Sequence, residues 1–470
     1  MQLAANKTKL VCTIGPASDE PRTLEAMLLA GMSVARLNFS HGDFDAHAAS
    51  IARLRDASGA TGRRLAIMAD LPGIKIRIGE LDPEVIELAT GDEVVLTTDD
   101  IIGDAQRFAV NFKRLPLAVR PDDKLFLNDG LISLKVLRVE ATDVHCEVRA
   151  GGELSSRKGL DLPGIDLGVS AFTDRDRECL AFALEHGVDA VSQSFVSSAA
   201  DVVAVRNAAA ELGYAPFVIA KVERARAVER LDEILDAADG LMVARGDLGV
   251  ELPIAEMAVV QKELMRAANR AGKPVITATQ MLESMTAHRR PTRAEATDVA
   301  NAILDGTDAV MLSAESAVGR YPVDAVAMLA EIAAATEPHR PGATLDARLP
   351  DNPSLSGLIA RSIHNAVQSL SPVAVVVPTR SGSMARNVTR FRLPTWITAF
   401  SNEQATCQAL QFSYGVHPVY VDGDYDDWTP FLRDWMREQG MTSGIAVLTQ
   451  GPSEQNPCGN HRIEIVDLSL

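Results

Sequence analysis

Charged and hydroxyl side chains recur along this chain at the ends of short apolar runs. Lys221 and Glu223 end FVIAKVE, and Arg245 and Asp247 end GLMVARGD. Arg36, Asn38 and Ser40 close SVARLNFS, with His41 next, and Asp70 closes RRLAIMAD. Ser194 ends DAVSQSF, Thr279 and Gln280 end KPVITATQ, and Ser313 and Glu315 follow DAVML. One such residue is an ordinary cap or ion pair, but a set from nearly every run reads as a site. Glu223 and Asp247 offer the oxygen ligands that a hard cation such as Mg²⁺ takes. Arg36, Arg77 and Lys221 can balance phosphate charge. The turn Ala244-Arg245-Gly246-Asp247 opens a helix whose N–H groups suit a carboxylate or phosphate. The Thr279 and Ser313 hydroxyls can orient a water or relay a proton. Read from residues alone, this is Mg²⁺-dependent phosphoryl transfer or enol chemistry on an anionic metabolite.

For these residues to converge, the runs must be parallel strands whose carboxyl ends share one face. The chain supplies that. Three strand patterns separated by helices (LVCTIGP, SVARLNFS, RRLAIMAD) precede residue 72, and five follow residue 158. Ser18 is expected to cap the first helix, Thr173 another, and Thr292 with Glu295 forms a capping box. RARAVERLDEILDAAD carries apolar residues at helical spacing. Eight strand–helix units on one chain predict a closed (β/α)₈ barrel, formed by 1–71 and 158–338. Between them, 72–157 has short alternating strands and no helix pattern, with Asn128-Asp129-Gly130 as a hairpin turn. It reads as a small inserted β-barrel lid, entering through a loop at the catalytic face. Glu337 to Asp351 reads as a linker, and 339–470 as a C-terminal α/β regulatory domain.

The net charge of −17 over 470 residues excludes a general nucleic-acid or anionic-membrane binder. Cys12, Cys146, Cys179, Cys407 and Cys458 show no metal or redox spacing, so reduced thiols are expected. MQLAANKTKL lacks the long apolar run of a signal peptide, and no run is long enough to span a membrane. A cytoplasmic protein is the expectation.

The longer stretches KLVCTIGPAS, ARLNFSHG, AKVE, VARGDLGVELP, TATQMLESM and RPTRAEATDVANAILDGTDAVMLSAES occur in an order that resembles the pyruvate kinase family. The resemblance implies transfer of phosphate from phosphoenolpyruvate to ADP, giving pyruvate and ATP. It implies Glu223 and Asp247 as ligands of Mg²⁺ (or Mn²⁺), and Lys221 as the cation that neutralises the phosphoryl group in flight. It implies Gly246, Asp247 and Thr279 around the substrate carboxylate and Arg36 on its phosphate. Arg77 and Lys158, with Asn38 and His41, fall on the nucleotide side, and Thr279 and Ser313 on the path that protonates the enolate. Asn38, Ser40, Asp70 and Leu71 correspond to the family's monovalent-cation pocket.

This chain departs from potassium-requiring members, which place Glu where it has Lys75 and Thr where it has Leu71. Lys75 is expected to replace the charge of K⁺, leaving that pocket empty and activity free of K⁺. In PTRSGSMARN, Thr379, Ser381, Gly382 and Ser383 begin a helix where the family binds effectors, so a sugar-phosphate or nucleotide effector is expected there. The family also implies a homotetramer. Two rival readings are a Schiff-base aldolase with Lys221 as nucleophile, and a metabolite sensor that has lost catalysis.

Overall fold

The computed structural model describes residues 3–340, 354–423, 425, 427–451 and 460–470. Strands Lys9–Thr13, Met32–Asn38, Ala66–Leu71, Ala190–Gln193, Phe217–Val222, Gly240–Ala244, Val275–Ala278 and Ala309–Leu312 close into one parallel barrel in chain order. The apolar runs that predicted them are buried on both faces, as parallel barrel strands must be. Val11, Val34, Met68, Ile219, Met242 and Ile276 fill the interior. Leu24, Met27, Leu54, Leu264 and Leu329 lie in the layer between strands and outer helices.

The helix starts follow the capping chemistry only in part. Thr173 with Asp176, and Thr292 with Glu295, form full capping boxes. Ser18 does not cap the first helix, which begins at Pro21 after Glu20; its hydroxyl accepts from Gly15 N–H at 3.1 Å. The segment between the strands of Lys221 and Asp247 is two short helices, Ala225–Glu229 and Leu231–Ala237, broken at Arg230.

The inserted domain is a six-stranded sheet with a two-stranded companion. Asn128, Asp129 and Gly130 all take positive φ in the turn joining Lys124–Leu127 to Ile132–Glu140. Its sheet ends at Leu160–Asp161, past the expected boundary at 157, and its core takes in Leu162 and Leu167. One short helix, Leu115–Ala118, interrupts the strands. The domain reaches the barrel mouth: Gly164 N–H donates to Glu251 Oε2 at 3.3 Å, and Arg224 donates to the carbonyls of Leu162 and Ile165.

The C-terminal domain starts at helix Leu355–Leu370. The linker expected at Glu337 to Asp351 lies largely outside the described residues. Four parallel strands, Ala374–Pro378, Ile397–Ser401, Val416–Tyr420 and Ile445–Gln450, make its sheet, and antiparallel Arg462–Asp467 adds an edge. The sheet sits against the barrel floor. Phe412, fully buried, stacks on Phe217 at 5.4 Å and belongs to the barrel's interior cluster. Asp308, just before the eighth barrel strand, takes Arg392 through two bonds of 2.7 Å, with both side chains nearly inaccessible.

Candidate active site at the barrel mouth

Lys221 ends the fifth barrel strand and is 7% exposed. Its ammonium donates to Ser194 Oγ at 2.6 Å and pairs with Glu223 Oε1 at 3.0 Å and Asp70 Oδ1 at 3.2 Å. Burial alone would pull its pKa down, but Asp70 and Glu223 outweigh it, so the ammonium is held charged. A Schiff-base nucleophile needs a neutral amine in an acid-free pocket, so this environment opposes the aldolase reading.

Asp70 is the other buried hub. Arg36 Nε reaches its Oδ2 at 2.8 Å and Ser192 Oγ reaches Oδ1 at 2.7 Å. Burial pushes its proton affinity up, and Lys221 and Arg36 more than reverse that, keeping the carboxyl below its usual range. Both oxygens are therefore already occupied by cations and a hydroxyl. Arg36 is braced from behind by Thr13 Oγ1 at 2.9 Å.

Glu223 is 2% exposed and accepts from Phe195 N–H at 2.6 Å. Burial, with the nearby charge of Asp247, raises its pKa against the pull of Lys221. Asp247 stands in the first turn of helix Arg245–Glu251, half-buried. A divalent cation shared by these two carboxylates would relieve the repulsion between them. Among the described residues, no three His, Cys, Asp or Glu side chains converge on a metal-sized site. Two carboxylates leave the other positions to substrate and water oxygens, as Mg²⁺ prefers.

Lys75 lies 3.4 Å from Asp247 Oδ1. Among the described residues its ammonium makes no ion pair with Asp70. Its charge thus sits beside Asp247. In the expected monovalent-cation pocket Asn38 Oδ1 accepts from Ser40 N–H at 3.2 Å and Leu71 is buried; His41, expected on the nucleotide side, is exposed.

Gly246 N–H, expected to be open to a ligand, donates to Thr279 Oγ1 at 2.8 Å. A substrate carboxylate would take the place of that acceptor. Thr279 has φ 69°, a conformation costly for a β-branched residue. Arg245 holds it, donating to Thr279 O and pairing with Asp298, each at 2.7 Å. Arg245 and Glu315, counted in the ring from the sequence, are thus braces. Glu315 is fully buried and accepts from Ser313 N–H and Leu282 N–H, tying two mouth loops together. Ser313 itself is half-buried at the mouth.

On the lid, Arg77 bridges to Gly159, next to Lys158, and donates to Arg157 O at 3.0 Å. Gly159 also lies beside the stem of Lys75. Asp161 escaped the sequence reading. It is half-buried, and burial with Asp247 raises its pKa to about 6. The available signal was a single acid in the apolar run LDLPG. Far from the mouth, Thr379 Oγ1 accepts from Gly382 N–H at 3.0 Å, and Arg386 donates to Ser381 O at 2.7 Å. Ser381 and Ser383 are exposed there.

A closed parallel barrel with an inserted lid and a mouth of paired cations and carboxylates defines an enzyme of small anionic substrates. Residues 5–326 match the family model "Pyruvate kinase, barrel domain", and 358–461 match "Pyruvate kinase, alpha/beta domain". The chain is 48% identical over 434 residues to the pyruvate kinase of Thermococcus litoralis, covering 91% of each. It is 43% identical over 418 residues to that of Geobacillus stearothermophilus, covering 87% of this chain and 71% of the relative. A crystal structure of a pyruvate kinase from Cryptosporidium parvum superposes with a TM-score of 0.92 at 33% identity, covering 99% and 96%. This chain belongs to the pyruvate kinase family and is a phosphotransferase.

Proposed function

We propose that this pyruvate kinase uses Mg²⁺ (or Mn²⁺) without K⁺, moving the phosphoryl group of phosphoenolpyruvate to ADP at the last step of glycolysis. The observation that carries the reading is the buried Lys221 ammonium, held charged among Asp70, Glu223 and Ser194 at 2.6–3.3 Å. A loose phosphoryl-transfer transition state asks the protein for position and charge rather than covalent chemistry. Lys221 meets the phosphoryl oxygens in flight and then the enolate left on the substrate. Arg36, fixed by Asp70 and Thr13, contacts the same phosphate. Gly246 and Asp247 N–H with Thr279 hold the substrate carboxylate, while the Thr279 and Ser313 hydroxyls lead a proton to the enolate. Arg77 and Lys158, with Asn38 and His41, steady the nucleotide. Glu223 and Asp247 would hold the divalent cation, which when bound supplies charge neutralisation to the transferring group.

Independence from K⁺ is supported by Asp70, whose oxygens already carry Arg36, Lys221 and Ser192. Lys75 adds fixed charge beside Asp247. Regulation is read at Thr379, Ser381, Gly382 and Ser383, for a sugar-phosphate or nucleotide. A cytoplasmic homotetramer completes the reading. Among the described residues no helix is long and apolar enough to cross a membrane.

The test is pyruvate formation in a lactate-dehydrogenase-coupled assay, with Mg²⁺, with and without K⁺ at matched ionic strength. Full turnover without K⁺ is expected. Strong activation by K⁺ over a sodium-free control would defeat the cation argument and leave the enzyme assignment standing.

A further inference from the structure

The loop that leaves the second barrel strand carries Asn38 and His41 and leads into helix Phe44–Thr61. Its near end is held by short-range bonds. Phe39 N–H donates to Asp70 O at 3.1 Å, Ser40 N–H to Asn38 Oδ1 at 3.2 Å, and His41 N–H to Asn38 O at 3.1 Å. The far end turns at Gly42, with φ +77°, which glycine adopts without strain. Asp43 then caps the helix, accepting from Ala46 N–H at 2.8 Å. The His41 carbonyl completes the set, and it lies 2.9 Å from His47 Nε2.

His47 stands one turn into that helix, and its own N–H donates to Asp43 O at 3.1 Å. Its ring is half-buried and stacks on Phe39 at 4.2 Å, with 15° between the planes. Phe39 is buried in the layer between strands and outer helices. The imidazole is thus fixed on one face by a buried ring and at one edge by the loop. Burial holds its proton affinity below the ordinary histidine value, against the pull of the His41 carbonyl, Asp43 and Asp19. A carbonyl can only accept, so Nε2 carries the hydrogen of the neutral ring. A side chain present only to cover Phe39 would not need that hydrogen, because a phenylalanine makes the same stack.

We infer that His47 is a positioning residue for the nucleotide, pinning the His41 carbonyl so that Asn38 and His41 are presented to ADP in one arrangement. It acts through the loop, and the inference rests on the nucleotide-side reading of those two residues. The test is steady-state kinetics with ADP and phosphoenolpyruvate varied in turn, beside a melting curve. His47→Phe keeps the stack and removes the donor. KM for ADP should rise about tenfold for one lost hydrogen bond, with KM for phosphoenolpyruvate and kcat within about twofold. His47→Gln, whose amide nitrogen reaches about as far as Nε2, should bring KM for ADP back to within about threefold of wild type whatever it does to melting. His47→Asn, too short to reach the carbonyl, should repeat the rise should Phe prevent folding. A rise shared equally by both substrates, no rise, or no rescue by Gln would overturn the inference. Asn38→Ala with His41→Ala tests the reading beneath it. An unchanged KM for ADP there removes the nucleotide assignment and the inference together, whereas a raised one beside an unchanged His47→Phe defeats the inference alone.

Discussion

Replacing Lys221 with Met keeps the length and apolar stem of the side chain and removes one charge. That charge faces Ser194 Oγ at 2.6 Å, Glu223 at 3.0 Å and Asp70 at 3.2 Å. Two consequences separate cleanly. Loss of one donor aimed at a developing charge costs roughly 10²–10³ in kcat, and a full cation on a transferring phosphoryl group pushes toward the upper end. We therefore expect a fall of about 10³, close to 4 kcal/mol of barrel-mouth stabilisation of the transition state. Because the contact matters most in that state, kcat and kcat/KM should fall together, with KM for phosphoenolpyruvate within about threefold. The second consequence is structural: Asp70 keeps Arg36, but Glu223 loses its cation, and breaking a buried pair costs up to about 3–5 kcal/mol. The stem remains and the mouth admits water, so the melting temperature should drop by only a few degrees. A coupled assay and a melting curve on the same preparation read both. Turnover within tenfold of wild type, in a well-folded variant, would refute the assigned role. Lys221→Arg should not rescue, since a planar fork cannot fit the same three oxygens.

Lys75→Glu should introduce K⁺ dependence, lowering the rate without K⁺ by at least about tenfold by removing a cation beside Asp247; rates compared in sodium and potassium salts decide it. Asp161 titrates in the folded protein at about 6, above its unfolded value of about 4. The folded state then holds the proton longer, so wild-type stability falls as pH rises from about 4 to 6, by at most about 3 kcal/mol. Asp161→Asn should remove that fall and melt higher than wild type above pH 6, with no gain below pH 4. Thr379, Ser381 and Ser383 all changed to Ala should keep basal turnover and lose at least about tenfold in apparent affinity for a phosphorylated activator, two or three charge-assisted bonds being removed. An unchanged activation curve would dismiss the turn as a regulatory site.

The strand ends were legible because each apolar run stops at a polar residue, and a parallel barrel admits one arrangement of such ends. Direction was not legible. Arg245 ends its apolar run as Lys221 ends another, yet its guanidinium turns back onto Asp298 and the Thr279 carbonyl. Glu315 is likewise spent on backbone N–H groups of two loops. The pairing of Asp70 with Arg36 and Lys221 joins residues 34 and 151 apart, which no local pattern encodes. The lid boundary slipped because Leu160–Asp161 is two residues long and is defined only by its partner at Phe126 and Leu127. Asp161 was overlooked for the same reason. The cap at Thr173 and the capping box of Thr292 with Glu295 were readable because such signals lie within four residues.

Gly73 stands where the chain leaves the third barrel strand for the lid. Its φ is +66°, and a Cβ there would meet Ser194 and Phe195 at 3.0 Å. Its N–H is held by Asp176 at 2.8 Å. The residue is thus pinned to the barrel, and any swing of the lid must begin beyond it, at Ile74 and Lys75. The ammonium that neighbours Asp247 rides on the moving side of that pivot. Cover and charge consequently travel on one arm: an opened lid leaves the mouth more anionic, and a closed one brings its own counter-charge with it.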